Sequence, residues 1–262
     1  MRRGIRALLL SLAGTFLLSG PLYAKTLRVA VAANFKPVMG EIVSRFESAT
    51  GNRVVLSYAS TGTLYNQLVH GAPFDVFLSA DQKRPGLLVK KGLVDGKAET
   101  YAYGRLVLWR RGGPAPTLDD LRKPGLKLAI ANPATAPYGT AAKESLEVLG
   151  LWKTVSKNVV KGASIQQAWQ FVATGNVPMG FVALSQLRKD KVKDEFCVVR
   201  EDMYSPLRQD AVVLAKSRQL KLAHRFVEFL RMPEQQACIQ DAGYYPVIDP
   251  AIGGRKEEGK EG

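Results

Sequence analysis

Four short stretches of the chain place uncharged hydrogen-bond donors where an apolar run gives way to a helical pattern. They are Ala32-Ala33-Asn34-Phe35, Ala59-Ser60-Thr61-Gly62-Thr63, Ala136-Pro137-Tyr138-Gly139-Thr140 and Gly162-Ala163-Ser164-Ile165. Each is small, neutral and rich in hydroxyl or amide groups. A helix start leaves backbone N–H groups unpaired and carries a partial positive charge, so it accepts anions. The plain alternative is that Asn34, Ser60, Thr61 and Ser164 are helix N-caps, the usual work of these residue types. One such turn on its own favours the cap. Four together without Asp or Glu, which normally enrich a first helical turn, point to a site that keeps carboxylates out.

Other residues that could do chemistry carry weaker signals. His70 and His224 are the two histidines, and neither falls in a Gly-x-Ser-x-Gly or His-Glu-x-x-His pattern, so nucleophilic and zinc-dependent hydrolysis lack their residues. His70 is expected to face the C-terminal end of a helix, Asp75 and Asp81 to serve the lobe structurally, and Lys36 to reach solvent rather than a ligand. Tyr244-Tyr245 could in principle bind ferric iron, but lies past the last helix and is expected away from the four turns. Cys197 and Cys238 permit one disulfide in an oxidising compartment, with no motif spacing to establish it.

Alternating strands and helices must position those turns. A strand-like run at 26–32 precedes a segment whose Phe35, Val38, Met39, Ile42, Val43 and Phe46 share one helical face, stopped by Gly51. The unit repeats: strand 53–59, a helix carrying Leu64, Tyr65, Leu68 and Val69, strand 74–78, and a helix over about 82–91. Residues 101–109 read as one long strand. The pattern then restarts with strand 127–131, helix 138–149, strand 158–161, helix 165–174 and strand 179–183. Strands at 196–200 and 211–215 follow, then a helix over about 218–231 whose Leu222, Phe226, Phe229 and Leu230 face a core. A last helix begins at Pro233. Repeated strand-helix-strand units imply parallel strands in an open α/β sheet, with the ligand crevice beyond their carboxyl ends. The restart implies a second lobe, with crossings near 101–109 and 198–210.

The chain has 262 residues and a formal charge of +14. Arg2, Arg3 and Arg6, then an apolar run from Ala7 to Gly20 and the small residue Ala24, read as a secretory signal at 1–24, too short in its apolar part to span a bilayer. The remainder suffices for two modest domains. Its basic residues are scattered without aromatic interleaving, which argues against nucleic acid and suits recruitment of a small anion. Residues 253–262 are Gly, Lys, Glu and Arg without apolar groups and read as a disordered tail.

Six segments together resemble the molybdate-binding periplasmic proteins of ABC transporters. They are Ala-Val-Ala-Ala-Asn-Phe from Ala30, Ser-Tyr-Ala-Ser-Thr-Gly-Thr-Leu-Tyr from Ser57, Gly-Ala-Pro-Phe-Asp-Val-Phe-Leu-Ser-Ala-Asp from Gly71, Gly-Arg-Leu-Val-Leu-Trp from Gly104, Ala-Asn-Pro-Ala-Thr-Ala-Pro-Tyr-Gly-Thr-Ala-Ala from Ala131 and Gly-Phe-Val-Ala-Leu-Ser-Gln from Gly180. The resemblance spans nearly the whole chain after residue 24. It implies a two-lobed, type II periplasmic-binding-protein α/β fold, each lobe a mixed, mainly parallel sheet flanked by helices. The lobes would be 25–104 with 205–252, and 105–204. It also implies ligand contacts from Ala33, Asn34, Ser60, Thr61, Tyr138 and Ile165, the last through its amide; whether Tyr138 uses its hydroxyl or only its amide is open. Some family members carry a ligand tyrosine after Gly-Phe-Val where this chain has Ala183.

The implied activity is that of a periplasmic receptor, not an enzyme, which delivers molybdate and also tungstate to an ABC permease with its cytoplasmic ATPase, acting as a monomer and without a cofactor. Molybdate is an unprotonated dianion at neutral pH, so its shell should hold donors only, each worth about 1.5–3 kcal/mol. Phosphate keeps a proton that a site without carboxylates leaves unpaired. The other reading is a receptor for another oxyanion such as sulfate or thiosulfate; an organic acid would call for an Arg clamp, and no Arg lies in the four turns.

Overall fold

The computed structural model describes residues 24–192 and 195–247. The secretory signal expected at 1–24, apart from Ala24, and the tail expected at 253–262 lie outside the described residues.

The first sheet begins with strand β1 (Thr26–Ala32), followed by a 3-10 turn at Ala33–Phe35 and helix α1 (Lys36–Thr50). Gly51 ends α1 in the left-handed conformation, φ 66°, which a Cβ would disfavour. Next come β2 (Arg53–Ala59), α2 (Thr61–Val69), β3 (Val76–Leu78), α3 (Lys83–Lys90) and β4 (Val94–Tyr103). The second sheet takes β5 (Leu106–Trp109), β6 (Leu128–Ala131), α4 (Pro137–Val148), α5 (Trp152–Val155), β7 (Val159–Gly162), α6 (Ile165–Ala173), β8 (Met179–Ala183), α7 (Leu184–Lys189) and β9 (Cys197–Val198). The chain then returns through β10 (Arg208–Leu214), α8 (Leu220–Leu230) and α9 (Pro233–Asp241) to the first sheet.

The strand orders are β2-β1-β3-β10-β4 and β7-β6-β8-β5-β9. In each, three strands run parallel (β2, β1, β3 and β7, β6, β8) and the strand at the fourth position opposes both its neighbours. Two mixed sheets flanked by helices are therefore the architecture, as the alternating pattern implied.

The single strand expected over 101–109 is two strands in different sheets. The chain breaks at Gly104-Arg105, where only glycine fits: a Cβ on residue 104 would sit 2.2 Å from the Tyr138 hydroxyl oxygen and 2.7 Å from Gln209 Nε2. β4 also starts earlier than the pattern suggested, at Val94, over a half-exposed stretch with little alternation. At the crossing, Gly104 N–H donates to the Leu207 carbonyl at 2.8 Å, so outgoing and returning segments lie side by side. Tyr103 and Tyr245 exchange two backbone bonds of 3.0 Å beside them.

The sequence's apolar faces become the cores. Val38, Met39, Ile42 and Phe46 of α1 are buried against Phe226, Val227 and Leu230 of α8 under the first sheet. Phe46 meets Phe226 edge-to-face at 5.0 Å, a contact whose loss with the ring would cost about 3–5 kcal/mol. Leu106, Leu108, Ile130, Phe181 and Leu146 fill the corresponding core of the second sheet. Cys197 and Cys238 are free thiols, the first on β9 and the second on α9. Among the described residues no helix is long and apolar enough to cross a membrane.

Candidate functional site

The parallel strands β1, β2, β6 and β7 end at Ala32, Ala59, Ala131 and Gly162, and the four donor-rich turns follow them. Their helices start at one place between the sheets. A recess of about 190 Å³, its mouth included, is lined there by Ala33, Asn34, Ser60, Thr61, Tyr138 and Ile165, together with Ala32, Ala80, Ala136 and Pro137. All six residues named from the sequence are thus brought to one cavity. None of the ten lining residues is charged. The space enclosed there, without the mouth, is about 10 Å³, far below the roughly 300 Å³ at which pockets for drug-sized ligands begin, so only a very small ligand suits it. Two larger cavities lie elsewhere, one at the far edge of the first sheet around Phe74 and Arg218, the other among α1, α7 and α9; neither touches the four turns.

Backbone donors are available by position. Thr61 and Ile165 are the first residues of α2 and α6, and Tyr138 is the second of α4, so their N–H groups are among those a helix cannot pair internally. No acidic residue occupies the first turn of the 3-10 turn at Ala33–Phe35 or of α1, α2, α4 or α6. The helix ends therefore present positive partial charge without a competing carboxylate.

Side chains sort into caps and donors. Ser60 and Ser164 are N-caps: their oxygens accept from Thr63 N–H and Gln167 N–H, each at 3.4 Å. Ser60 Oγ also lies 2.7 Å from Thr63 Oγ1. Thr61 differs. Its Oγ1 accepts from Ala80 N–H at 3.1 Å, which occupies a lone pair and leaves the hydroxyl proton to donate. Asn34, 1 % exposed, commits its side-chain nitrogen to Gln209 Oε1 at 2.9 Å and Tyr244 Oη at 3.3 Å. The Tyr138 hydroxyl lies at the crossing beside Gly104 and Gln209 and makes no hydrogen bond of ordinary geometry among the described residues. The Tyr138 amide, at the second position of α4, has no partner inside its helix.

Several residues at this place carried no role in the sequence reading. Tyr244 was expected away from the turns; instead its hydroxyl donates to the Asn34 carbonyl at 2.6 Å, because the segment after α9 folds back over β4. Tyr101 Oη lies 2.9 Å from the Ser79 carbonyl and 3.0 Å from Gln209 Oε1. Phe35 packs edge-on against both tyrosine rings at 4.8 and 5.2 Å. Gln186 donates from Nε2 to the Ile165 carbonyl at 3.2 Å. Ser185 and Gln186 stood in a quoted motif, which was the available signal; Gln209 had none, and Tyr244 was singled out only as half of a tyrosine pair that could bind iron, since only tertiary folding brings both to this place.

The electrostatics are those of neutral donors. Burial pushes the Tyr101 and Tyr138 phenols well above their ordinary range and raises Tyr244 as well, so all three stay protonated. Asp210, buried under β4, is raised by burial and bound to Thr100 Oγ1 at 2.8 Å. Asp75 accepts from Arg28 N–H and Ser217 Oγ, which is a structural role. Lys36 lies over the Tyr58 ring at 5.7 Å. His70 Nδ1 lies 2.7 Å from the Asn66 carbonyl at the end of α2. Among the described residues no group of three His, Cys, Asp or Glu could hold a metal ion.

The two sheets touch around the recess. Gly62 N–H donates to the Thr135 carbonyl at 2.8 Å, Arg84 Nη2 to the Ala134 carbonyl at 3.2 Å, and Ser185 Oγ to the Asn34 carbonyl at 3.1 Å. Asp81 holds the Arg84 guanidinium in an ion pair.

Comparison with known proteins agrees with this geometry. Residues 27–245 match the family described as bacterial extracellular solute-binding protein. The chain is 46 % identical to the molybdate-binding protein ModA of Azotobacter vinelandii over 88 % of its own length and 94 % of the relative's. It is 41 % identical to the protein of the same name from Rhodobacter capsulatus, over 93 % and 96 %. The solved periplasmic molybdate-binding protein of Azotobacter vinelandii superposes with a TM-score of 0.79 at 35 % identity, covering 83 % of this chain and 98 % of that one.

Proposed function

Because the chain belongs to the bacterial extracellular solute-binding protein family, among its molybdate-binding members, we propose that it is a receptor that closes its lobes on molybdate between the four turns. The family consists of solute receptors rather than catalysts, and molybdate is its cargo, not a cofactor. The observation that carries the reading is the recess itself: ten uncharged lining residues and the amino ends of helices from both sheets.

The proposed contacts are Ala33 and Asn34, Ser60 and Thr61, Tyr138, and Ile165 through its amide. A tetrahedral dianion would take hydrogen bonds from both lobes at once. Each donor at such a partner contributes about 1.5–3 kcal/mol, and those of one lobe are lost when the lobes part, so the anion favours the closed form. Tungstate has the same shape and charge and belongs to the same ligand class. On this reading the lobes are 25–104 with 205–252, and 105–204. The receptor is exported to the periplasm, acts as a monomer, and hands its anion to an ABC permease driven by a cytoplasmic ATPase.

Thermal melting against molybdate, tungstate, sulfate and phosphate tests the proposal. At 100 times the dissociation constant a ligand adds about 2.7 kcal/mol of stability. Molybdate and tungstate should raise the melting temperature strongly, sulfate little and phosphate not at all. A phosphate shift as large as that of molybdate would contradict the donor-only site.

A further inference from the structure

We propose that Ser185 is a positioning residue that links anion binding to lobe closure, by joining the Asn34 carbonyl only when the lobes meet. The inference rests on the oxyanion reading of the recess and concerns a residue that does not line it.

Ser185 is the second residue of α7, which follows β8 of the second sheet, and it is 1 % exposed. Its Oγ lies 3.1 Å from the Asn34 carbonyl oxygen and 3.0 Å from Tyr244 Oη, while Tyr244 Oη lies 2.6 Å from that same carbonyl. The three oxygens form a closed triangle with two hydroxyl protons to share. Asn34 and Tyr244 both belong to the first sheet's side, where Phe35, Tyr101 and Tyr244 pack in one core. Ser185 alone comes from across the gap. The Tyr244 bond to Asn34 therefore persists when the lobes open, and the Ser185 bond does not.

The neighbouring residue strengthens the argument. Gln186 holds the Ile165 carbonyl at 3.2 Å and accepts from Ala183 N–H at 3.0 Å, both within the second sheet's side. Two consecutive residues of one helix thus grip two anion turns, one in each lobe. Gln186 fixes its own lobe's turn at all times; Ser185 reaches the other lobe's turn on closure and holds the peptide that borders the recess.

A hydroxyl that is wet in the open protein and bonded in the closed one stabilises only the closed one. The test measures melting temperature with and without sodium molybdate, and stopped-flow association and dissociation, for the wild type, Ser185→Ala and Tyr244→Phe. Ser185→Ala should leave the melting temperature without molybdate unchanged and shrink the molybdate-induced rise. It should weaken affinity about three- to tenfold, carried by faster dissociation at an unaltered association rate. Tyr244→Phe should instead lower the melting temperature both with and without the anion. Ser185→Ala protein that melts lower by the same amount in both conditions, or that releases molybdate at the wild-type rate, would overturn the proposal while leaving the oxyanion reading intact. A wild-type protein that binds no molybdate would overturn both.

Discussion

The backbone N–H of Gly62 donates to the carbonyl of Thr135 at 2.8 Å, joining the first turn of a helix beside one sheet to a turn leaving the other. A Cβ on residue 62 would lie 2.9 Å from both the Cα and the carbonyl oxygen of Thr135 and 3.0 Å from Arg84 Nη2. Those atoms are mostly backbone and cannot swing aside. Gly62→Ala should therefore wedge the lobes apart and weaken molybdate binding about tenfold or more. The helical position favours Ala over Gly, so stability without ligand should not fall. Isothermal titration together with small-angle scattering of the molybdate-loaded protein checks both halves.

On the proposed function Thr61 is both scaffold and donor. Its oxygen already accepts from Ala80 N–H, so its proton is the part left for an anion. Thr61→Val keeps the shape, removes the donor and leaves the Ala80 N–H unpaired. Affinity should fall by about 1.5–3 kcal/mol, or roughly 10- to 150-fold, in a titration at fixed ionic strength. Thr61→Ser, which keeps the oxygen and its proton, should bind within a fewfold of wild type.

Tyr138 separates the hydroxyl from the amide. With its hydroxyl turned to Gly104 and Gln209, Tyr138→Phe should leave molybdate affinity within about twofold, since it removes no bond of ordinary geometry. Gly104→Ala, by contrast, would place a methyl 2.2 Å from that hydroxyl oxygen and should destabilise by about 1–3 kcal/mol or more. Pairing the two substitutions in denaturant unfolding should recover part of the loss, because the shorter ring yields the space.

These three positions also mark what the sequence could and could not disclose. The four turns were legible because each sits where an apolar run changes to a helical pattern and because a missing carboxylate is a visible trait; the six residues within them came from the family resemblance. The strand break at Gly104 was not legible: its apolar residues continue on both sides, and what requires the glycine there is the phenol of a residue 34 positions later. The Tyr244 contact was missed for the same reason. The last helix reads as a terminus in sequence, yet the chain behind it pairs with Tyr103 and returns to Asn34. Local pattern specifies the elements and the turns; contacts between residues some 200 positions apart are set by packing alone.

The buried phenols fix a pH dependence. Burial raises the folded-state pKa values of Tyr101, Tyr138 and Tyr244 above the ordinary phenol value near 10. A raised pKa means that the folded protein holds these protons more tightly than the unfolded chain does. Their contribution is fully present below pH 10 and is lost as pH rises beyond it, by up to about 1.4 kcal/mol per tyrosine per pH unit. Denaturant unfolding from pH 7 to 11.5 should show stability falling more steeply above pH 10 in the wild type than in Tyr138→Phe.

On the proposed function a doubly negative tetrahedral anion sits among neutral donors from both lobes. Anomalous diffraction at the molybdenum edge, from crystals grown with sodium molybdate, tests it most directly. One strong peak is expected between Asn34, Thr61, Tyr138 and Ile165, with donors from both sheets around it. A peak elsewhere, or no peak among these turns at a molybdate concentration that saturates binding in solution, would contradict it.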